Sequence, residues 1–470
     1  MTRPLRWLLA AVALCLPQLS TSASIGASPP VAEHGTPSPG EYPARIVLGW
    51  SGDPSRSMAV TWRTAQPVAT PLAQVALATA RSDLAATAVA VPGEGQALPL
   101  ADGSTVGQYR AVFTQLEPGR RYVYRVGDGR TWSEWNTFTM ARDEPAPFRF
   151  IYLGDVQNEI RSVWSRVVRS AYAAAPDARF IAYAGDLLAE GYDDRLWGEW
   201  CDGLGFISAN VPALPVPGNH DLHRAPGSPP GALAVSPLWR AHFALPGNGP
   251  AALGDLIGQT YFLDYQGARM IALDVNAWAN DAFEPGARER VKQATLEWLT
   301  QTLAQNPNRW TIVLQHQAIH SIAKERDYAE MRAALVPLYD RYGVDLVLQG
   351  HDHAYGRTWK LAANKVVPDA ARGTIYVISV SGAKMYEIHR ANRELMARLV
   401  EQKQLYQVVS IRPSRLSFAA YGADGVRVDA FELRKPGRGP SVYVDRQRSA
   451  SAPRHARPRP PTARRPVTPS

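Results

Sequence analysis

The 470-residue sequence predicts an α/β domain preceded by a smaller all-β domain. Five short apolar runs, each followed by Asp, Asn or His and joined in part by helical segments, predict the α/β domain. Short strands separated by turn signals over residues 43–140 predict the all-β domain. The length agrees with two domains, because a single core rarely extends over a chain of this size.

The N-terminus has the pattern of a secretory signal peptide, which we place at residues 1–23. Arg3 and Arg6 precede an apolar stretch at residues 7–16, and small residues follow. The stretch is too short to span a membrane. Removal of this segment would leave Cys201 as the only cysteine, so we expect no intrachain disulfide. Residues 24–41, rich in Ser, Pro and Gly, are predicted to be a linker.

Residues 42–142 are predicted to form the all-β domain. Apolar and other residues alternate over residues 58–63, which is the period of a strand. A turn at residues 116–119 leads into another strand that begins near Tyr122. Leu116, Pro118 and Tyr122 resemble the fibronectin type III pattern, in which a tyrosine holds one corner of a β-sandwich. We expect a structural role for this domain.

Residues 147–433 are predicted to form the α/β domain. The apolar runs that should form its buried strands are residues 148–153, 180–184, 211–214, 310–314 and 344–348, with later strands at 374–380 and 416–420. Two amphipathic helices are predicted at residues 288–305 and 329–342, and Gly343 should end the second.

Polar residues with metal-binding side chains follow the five runs. They are Gly154-Asp155, Gly185-Asp186, Gly218-Asn219-His220-Asp221, His316 and Gly350-His351-Asp352-His353. Sites in such sheets form at the carboxyl ends of the strands. Two carboxylates, one amide and four imidazoles would therefore meet at one edge. This mixture of oxygen and nitrogen ligands suits two metal ions better than one.

The order and spacing of these blocks resemble the calcineurin-like metallophosphoesterases, and within them the purple acid phosphatases. The resemblance covers residues 42–433. It implies a four-layer α/β (α+β) sandwich of two mixed sheets flanked by helices, preceded by an all-β fibronectin III-like sandwich. It also implies a secreted acid phosphatase-like enzyme that hydrolyses phosphomonoesters by attack of a metal-bound hydroxide.

The resemblance also implies a role for each residue of the site. Asp186 would bridge two metal ions. The remaining ligands would be Asp155 and His353 for the first ion, and Asn219, His316 and His351 for the second. His220 would act as the catalytic proton donor and contact the substrate together with Asn219, and Asp221 would orient His220. For His320, His223 and Asp274 we expect structural roles. Tyr355 and Arg357 should pack and form pairs near the site.

Two positions depart from the family pattern. A family tyrosine that binds iron and produces the purple colour is replaced by Ala189, with Tyr192 three residues later. We therefore expect no tyrosinate absorption band. Gln157 stands where many related enzymes have a metal-binding histidine, and it could ligate through its oxygen or only donate a hydrogen bond. The resemblance implies two divalent or trivalent metal ions as cofactors. One would be iron and the other zinc, manganese or a second iron, and the sequence leaves this choice open.

The excess positive charge lies in the C-terminal segment, residues 434–470. This segment holds ten Lys and Arg residues and one Asp, whereas the rest of the chain is neutral. The enzyme body therefore has no basic footprint for nucleic acid, and we expect no specific nucleic acid binding. The segment, rich in Pro and Arg, is predicted to be a disordered, solvated tail, with loose contact to anionic surfaces as the alternative.

Three readings of the function stay open. The leading one is a phosphomonoesterase acting on a phosphate ester outside the cytoplasm, in the periplasm or beyond the cell. A phosphodiesterase with the same site is the second. The third is a metal-stabilised surface-binding protein whose metal ions are structural.

Overall fold

The computed structural model describes residues 42–224, 233–256, 258–279, 285–389, 391–437 and 439–447. The predicted signal peptide (1–23), the linker up to residue 41 and the tail beyond residue 447 lie outside these ranges. Among the described helices, none combines the length and the apolar composition that a bilayer crossing requires.

The strands of the first domain are β1 (Ala44–Gly49), β2 (Met58–Thr64), β3 (Leu72–Leu77), β4 (Val89–Pro92), β5 (Glu94–Pro99), β6 (Thr105–Phe113), β7 (Arg121–Gly127) and β8 (Asn136–Thr139). They form two four-stranded antiparallel sheets, with strand orders β1-β2-β6-β5 and β4-β3-β7-β8. The prediction of an all-β domain is confirmed.

The predicted tyrosine corner is present between β6 and β7. The backbone N–H of Glu117 donates a hydrogen bond to the Tyr122 hydroxyl at 2.9 Å. The Tyr122 ring also stacks on Phe138 of β8, with 5.7 Å between ring centroids. This side chain therefore ties the turn to the next strand pair, which is the role that such a tyrosine has in sandwich domains.

The second domain contains eighteen strands among the described residues. They are β9 (Phe148–Leu153), β10 (Ile181–Ala184), β11 (Ala213–Val216), β12 (Leu222–Arg224), β13 (Leu233–Val235), β14 (Tyr261–Tyr265), β15 (Ala268–Ala272), β16 (Trp310–Leu314), β17 (Leu346–Gln349), β18 (Tyr355–Thr358), β19 (Leu361–Ala362), β20 (Lys365–Val366), β21 (Ile375–Ile378), β22 (Met396–Val400), β23 (Leu405–Arg412), β24 (Arg415–Gly422), β25 (Arg427–Arg434) and β26 (Val442–Asp445).

Seven α-helices accompany these strands in the described part of the chain. They are α1 (Ser165–Ala174), α2 (Asp194–Leu204), α3 (Ile207–Asn210), α4 (Pro237–His242), α5 (Asn276–Ala279), α6 (Pro285–Ala304) and α7 (Ala329–Tyr342). Their ends follow local chemistry. The Asp193 side chain accepts a hydrogen bond from the Arg195 backbone N–H and caps α2. Gly343, with a left-handed φ of 72°, ends α7 as the sequence predicts.

Two seven-stranded mixed sheets form the centre of the second domain, in the orders β11-β10-β9-β23-β24-β25-β26 and β14-β15-β16-β17-β21-β18-β22. Alternate side chains of each strand face opposite ways. Phe150 belongs to the core shared by both sheets, whereas its neighbour Ile151 packs with residues of α1 and α2. In the other sheet, Met270 joins the shared core and Ile271 packs with α6 and α7. The predicted four-layer sandwich is confirmed.

The boundary predicted between the domain and the tail at residues 433 and 434 is wrong for residues 434–437 and 439–447. Strand β26 pairs with β25 in antiparallel register, so the sheet continues past Arg434. Tyr443 is buried and its ring lies 6.0 Å from that of Phe431. Lys435, assigned to the solvated tail, forms an ion pair with Asp345 at 2.7 Å. The Arg-rich composition concealed a short alternating strand at residues 442–444.

The outer face of β2 is buried against the second domain, which the alternation of its residues did not predict. Arg63 and Arg45 both form ion pairs with Asp194 at the start of α2, at 2.7 and 2.8 Å. The Thr61 hydroxyl donates to the backbone carbonyl of His242 at 2.8 Å. These contacts join the first domain to the helical layer beside the β10 and β11 strand ends.

His242 makes the stability of this junction depend on pH. Its ring is buried, stacks on Trp197 with centroids 4.3 Å apart, and donates from Nδ1 to the Leu238 carbonyl. Burial, with a further contribution from Arg63, lowers the pKa of His242 from 6.5 to about 3. Between these values the unfolded chain binds a proton that the folded chain does not, so folding stability falls as the pH is lowered.

We therefore expect His242→Phe to be less sensitive to acid than the wild type. The phenyl ring retains the stacking but cannot be protonated. The free energy of unfolding of the variant, relative to wild type, should rise as the pH falls from about 7 to about 4, where the unfolded histidine becomes charged. Urea titrations at several pH values measure this difference. The exposed His389→Phe is the control, and a pH-independent difference for His242→Phe contradicts the assignment.

Candidate metal centre

The loops that follow β9, β10, β11, β16 and β17 meet at one edge of the two sheets. His316, after β16, donates from Nδ1 to the Ala184 carbonyl at the end of β10 at 2.8 Å. The backbone N–H of His351, after β17, donates to Asp155 Oδ2 after β9 at 2.7 Å. Strands of one sheet are thus linked to strand ends of the other, and the predicted site residues lie where the two sheets meet.

Glycines allow these loops to approach one another closely. A Cβ atom at Gly218 would lie 2.1 Å from Asp186 Oδ1, and one at Gly185 would lie 2.5 Å from Nδ1 of His316. Both distances are far below van der Waals contact, so any larger residue would displace a neighbouring side chain of the site. The glycines before Asp186 and Asn219 are therefore required by the packing of the site.

Backbone strain is concentrated on the same residues. Asp155, Asp186, His351 and His353 have positive φ angles of 29°, 49°, 74° and 47°. Residues other than glycine rarely adopt such angles, and each costs about 1–3 kcal/mol. Strain of this kind persists where the surrounding structure compensates for it, and it is common at functional sites.

Two groups of side chains present ligand atoms that lie within 4.8 Å of one another. The first group contains Asp155, Asp186 and His353, and the second contains Asp186, His316 and His351. Asp186 belongs to both. Asn219 joins the second group, because its Oδ1 lies 3.1 Å from Nε2 of His316. The structure therefore brings together all six residues that the sequence analysis proposed as ligands, in two sets that share one carboxylate.

Hydrogen bonds to the far side of each ring orient the histidines. His316 and His353 donate from Nδ1 to the carbonyls of Ala184 and Lys384, both at 2.8 Å, which leaves Nε2 free to bind. His351 has the opposite orientation, because its Nε2 lies 2.6 Å from the Tyr328 hydroxyl and its Nδ1 faces His316. Outer partners of this kind set the tautomer and the ring orientation of metal ligands.

The ligand atoms lie so close together that their lone pairs are poorly satisfied by one another, and their arrangement suits a pair of cations. Nε2 of His316 lies 3.0 Å from Nδ1 of His351 and 3.2 Å from Asp186 Oδ2. The Oδ1 atom of Asp155 is buried and has no hydrogen-bond partner within the described ranges. A buried polar atom left unpaired costs about 1–3 kcal/mol. Metal ions would satisfy these lone pairs, and the mixed oxygen and nitrogen set suits iron, manganese or zinc.

The pKa values of the cluster residues also indicate that these groups are unfavourable together without a cation. Burial raises the pKa of Asp155 well above its usual value and lowers the pKa of His353 to about 4. For Asp186, burial is outweighed by the nearby His316, which holds the pKa of that carboxyl below its usual value. For His316, burial is outweighed by Asp186, and its pKa rises to about 9. A bound cation would remove this unfavourable interaction, since it favours ionised carboxylates and neutral imidazoles.

His220 and Asn219 are partly exposed, in contrast to the buried ligands around them. The His220 backbone N–H donates to Asp186 Oδ1 at 2.9 Å, and the ring Nδ1 lies 2.8 Å from the Ala189 carbonyl oxygen. The ring is therefore held by a backbone carbonyl beside the bridging carboxylate. Its Nε2 is the atom available to an approaching molecule.

The expectation that Asp221 orients His220 is wrong. Asp221 Oδ2 accepts hydrogen bonds from the backbone N–H groups of Gly218 at 2.8 Å and Leu187 at 3.4 Å. The carboxyl is buried, and burial together with Asp186 raises its pKa to about 8. Asp221 thus holds the loops after β10 and β11 together. The imidazole that follows Asn219 finds its partner in a main-chain carbonyl, which sequence cannot indicate.

Three residues that we expected to be structural were His320, His223 and Asp274. The buried His320 ring packs edge-on against Tyr376 at 5.0 Å, and burial lowers its pKa to about 3. Asp274 accepts hydrogen bonds from the backbone and side-chain nitrogens of Asn276. Both have the roles expected. The His223 side chain lies outside the described part of the chain.

Tyr355 and Arg357 form a buried cluster with Asp429 of β25. The Tyr355 hydroxyl and Arg357 Nε each donate to Asp429 Oδ2 at 2.6 Å, and Arg357 Nη2 donates to Oδ1 at 2.9 Å. This cluster links the two sheets behind the loop that carries His351 and His353. The expectation of pairing near the site is confirmed.

Several residues of the site have no sequence signal. Tyr328 lies just before α7, and Arg326 donates to the carboxylate of Asp352 at 3.4 Å. The Tyr386 ring lies 4.6 Å from the His353 ring. These residues come from loops without a motif, so only the folded chain identifies them.

Comparison with known proteins agrees with this architecture. Residues 43–140 match the purple acid phosphatase N-terminal domain, and residues 148–355 match the calcineurin-like phosphoesterases. Acid phosphatase type 7 of zebrafish (Danio rerio) is 29% identical over 285 residues, which is 55% of this chain and 59% of that protein. An uncharacterized protein of Mycobacterium tuberculosis is 28% identical over 384 residues, covering 72% of this chain and 69% of the relative.

Solved structures share the fold. The purple acid phosphatase from yellow lupin (Lupinus luteus) seeds superposes with a TM-score of 0.68 at 17% identity, covering 84% of this chain and 75% of that chain. The structure of PhoD superposes with a TM-score of 0.61 at 13% identity, covering 88% of this chain and 94% of that chain. These similarities establish the architecture of both domains together.

Tyr328 leads to a prediction about metal affinity. Tyr328→Phe removes only the hydroxyl that holds the outer nitrogen of His351. We expect one of the two ions to bind about 10–100-fold more weakly, because outer partners of metal ligands have effects of this size. Equilibration in metal-buffered solutions followed by elemental analysis measures the loss. Tyr386→Phe, near His353 but with no hydroxyl contact in the described structure, is the matched control. Equal affinities in wild type and Tyr328→Phe would exclude this role.

Proposed function

Because the chain belongs to the calcineurin-like phosphoesterases and carries the purple acid phosphatase N-terminal domain, we propose that it is an exported phosphomonoesterase. Its second domain is a metal-dependent phosphoric ester hydrolase domain with a dinuclear metal site. The observation that carries the proposal is the pair of ligand groups that share Asp186, next to the partly exposed His220.

We assign six residues to the two metal ions. Asp155, Asp186 and His353 would hold the first ion. Asp186, Asn219, His316 and His351 would hold the second. When bound, the two ions would polarise the phosphoryl group and lower the pKa of a water molecule near them. The buried carboxylates and the oriented imidazoles supply the ligand atoms without rearrangement of the backbone, since their loops are already fixed by hydrogen bonds.

His220 would act on the substrate directly. With Nδ1 directed at the Ala189 carbonyl, its Nε2 can donate a proton to the leaving oxygen or a hydrogen bond to the phosphoryl group. Asn219, also partly exposed, adds a side-chain amide at the same opening. Because water attacks the phosphorus directly in this proposal, the phosphoryl group never forms a covalent bond to the protein.

A phosphodiesterase with the same ligands is the second candidate. Ala189 stands at the position of the family tyrosine, so this chain departs from the purple enzymes beside its bridging carboxylate. The names of its relatives, which include acid phosphatase type 7 and a phosphoenolpyruvate phosphatase of Allium cepa, favour monoesters. A surface-binding protein with structural metal ions is the third candidate, and the basic segment after residue 447 is what favours it.

Hydrolysis of matched substrates separates these candidates. The full chain, reconstituted with metal, is assayed with 4-nitrophenyl phosphate and with bis(4-nitrophenyl) phosphate, each with a chelator-treated control. We expect chelator-sensitive turnover that is faster on the monoester. Faster turnover of the diester would select the second candidate. Absence of turnover on both, with two ions bound per chain, would contradict an enzyme of this substrate range and favour a binding role.

The export and the tail contacts belong to the same proposal. If residues 1–23 are a signal peptide, the mature protein recovered from the producing cell begins after residue 23, and recovery of the intact N-terminus would contradict export.

If the tail only contacts anionic surfaces, deletion of residues 448–470 lowers retention on anionic vesicles and leaves hydrolysis unchanged. A loss of hydrolysis would assign the tail to the enzyme instead.

His220→Ala tests the role of the imidazole. The variant should retain two metal ions, because His220 provides only its backbone N–H to Asp186. Its kcat should fall about 10²–10⁴-fold, the usual contribution of a general acid. Steady-state kinetics and metal analysis measure the two quantities, with His389→Ala as an exposed control. Unchanged kcat would remove His220 from the mechanism.

A further inference from the structure

Gln157 is a buried glutamine in the loop that carries Asp155, and its side chain contacts Asp186, the carboxylate shared by both ligand groups. It lies two residues after Asp155 in the loop that leaves β9, and only 1% of its surface is exposed. Its backbone N–H donates to the carbonyl of Asp186 at 3.1 Å, so the position of the residue relative to the bridging carboxylate is fixed. Glutamine is rarely buried to this degree unless its amide has partners.

The amide of Gln157 is poorly satisfied. Its Nε2 lies 3.4 Å from Asp186 Oδ2, which is a long hydrogen bond, and its Oε1 has no partner among the described residues. Leaving such an oxygen unpaired in a buried site costs about 1–3 kcal/mol. Asp155 Oδ1 also lacks a hydrogen-bond partner among the described residues, and Nε2 of His353 lies 3.6 Å from it. Two unsatisfied oxygen atoms in the loop after β9, on residues two positions apart, are suited to binding a cation.

We propose that Gln157 is the fourth protein ligand of the first metal ion, bound through Oε1 together with Asp155, Asp186 and His353. The inference rests on the metal centre of the proposed function and is independent of the substrate. It assigns a binding role to a position where the sequence left ligation and simple hydrogen bonding open.

Rotation of the amide brings the oxygen into place at little cost. The oxygen and nitrogen ends of a glutamine amide have nearly the same shape, and their assignment follows from the hydrogen bonds that they make. In the described part of the chain, Oε1 makes no hydrogen bond and Nε2 makes only the 3.4 Å contact. A half turn would put Oε1 where Nε2 lies, at a spacing from Asp186 Oδ2 that suits two oxygen ligands of one ion.

The first site needs this ligand because Ala189 cannot supply one. A methyl side chain has no donor atom, so the first group otherwise offers only two carboxylates and one imidazole. A neutral amide oxygen completes four ligands without adding negative charge. We therefore expect the first site to prefer a dication such as Mn²⁺ or Zn²⁺ over a trivalent ion, which is held best by additional anionic ligands.

Substitutions of Gln157 with matched shapes test the proposal on the full-length protein. Gln157→Leu keeps the size and removes the oxygen, and Gln157→Glu keeps the oxygen and adds charge. With Mn²⁺ in metal-buffered solution, Gln157→Leu should bind one of two ions at least about tenfold more weakly, a loss in the range seen when metal sites are disturbed. Gln157→Glu should bind the same ion at least as tightly as wild type. Unchanged affinity in Gln157→Leu overturns the proposal.

Gln407→Leu is the control, because Gln407 is another fully buried glutamine whose Oε1 has no partner and whose Nε2 bonds to Ser379 rather than to the cluster. It should bind both ions as the wild type does. If Gln157→Leu does not fold, a structure of the Zn²⁺-loaded wild type decides. Oε1 should lie about 2.0–2.2 Å from the first ion, as carboxylate oxygens do on zinc. An Oε1 atom beyond about 3 Å rejects ligation.

The proposed function and this inference can fail separately. A wild type that binds two ions with the predicted dependence on Gln157, but hydrolyses no phosphate ester, supports the ligand assignment and rejects the phosphomonoesterase. A wild type that hydrolyses the monoester while Gln157→Leu binds both ions unchanged supports the enzyme and rejects the ligand.

Discussion

The structure is constrained most strongly by one buried carboxylate, Asp186, around which several other potential metal-ligand atoms lie. Asp186 Oδ2 lies 3.2 Å from a His316 nitrogen, and its Oδ1 accepts the His220 backbone N–H at 2.9 Å. Buried polar groups of this density are stable only when they are paired or coordinate metal ions. The glycines before the ligands and the left-handed angles of Asp155 and Asp186 both follow from bringing these atoms together.

The rest of the molecule supports that edge. The shared core between the two sheets places the strand ends in one plane, and buried polar links such as Tyr261 to the Pro215 carbonyl at 2.7 Å prevent the sheets from sliding. Asp221 joins the loops after β10 and β11 through their backbone N–H groups. The first domain binds α2 and α4 through Arg63 and Thr61. Each layer therefore restrains a loop that carries a ligand.

The strands and the residues that meet at their ends could be predicted from the sequence, because both depend on patterns of short range. The packing of two mixed sheets between helices followed only from the family resemblance, because periodicity does not show how sheets pack. An apolar run that ends in Gly-Asp or Gly-His predicts both a buried strand and a metal ligand at the end of that strand. The sequence was insufficient where a side chain meets a partner set by tertiary structure. Asp221 binds backbone instead of His220, and Tyr328 reaches His351 from a loop with no motif. The strand at Val442–Asp445 was hidden by the charge around it.

Electron paramagnetic resonance of the Mn²⁺-loaded protein can detect whether two ions share Asp186. Two Mn²⁺ ions bridged by one carboxylate interact magnetically, so we predict a spin-coupled spectrum at two ions per chain. Asp186→Asn should lose this coupling. Two bound ions with the spectra of isolated Mn²⁺, or a single ion per chain at saturation, would contradict a shared carboxylate at the centre of the site.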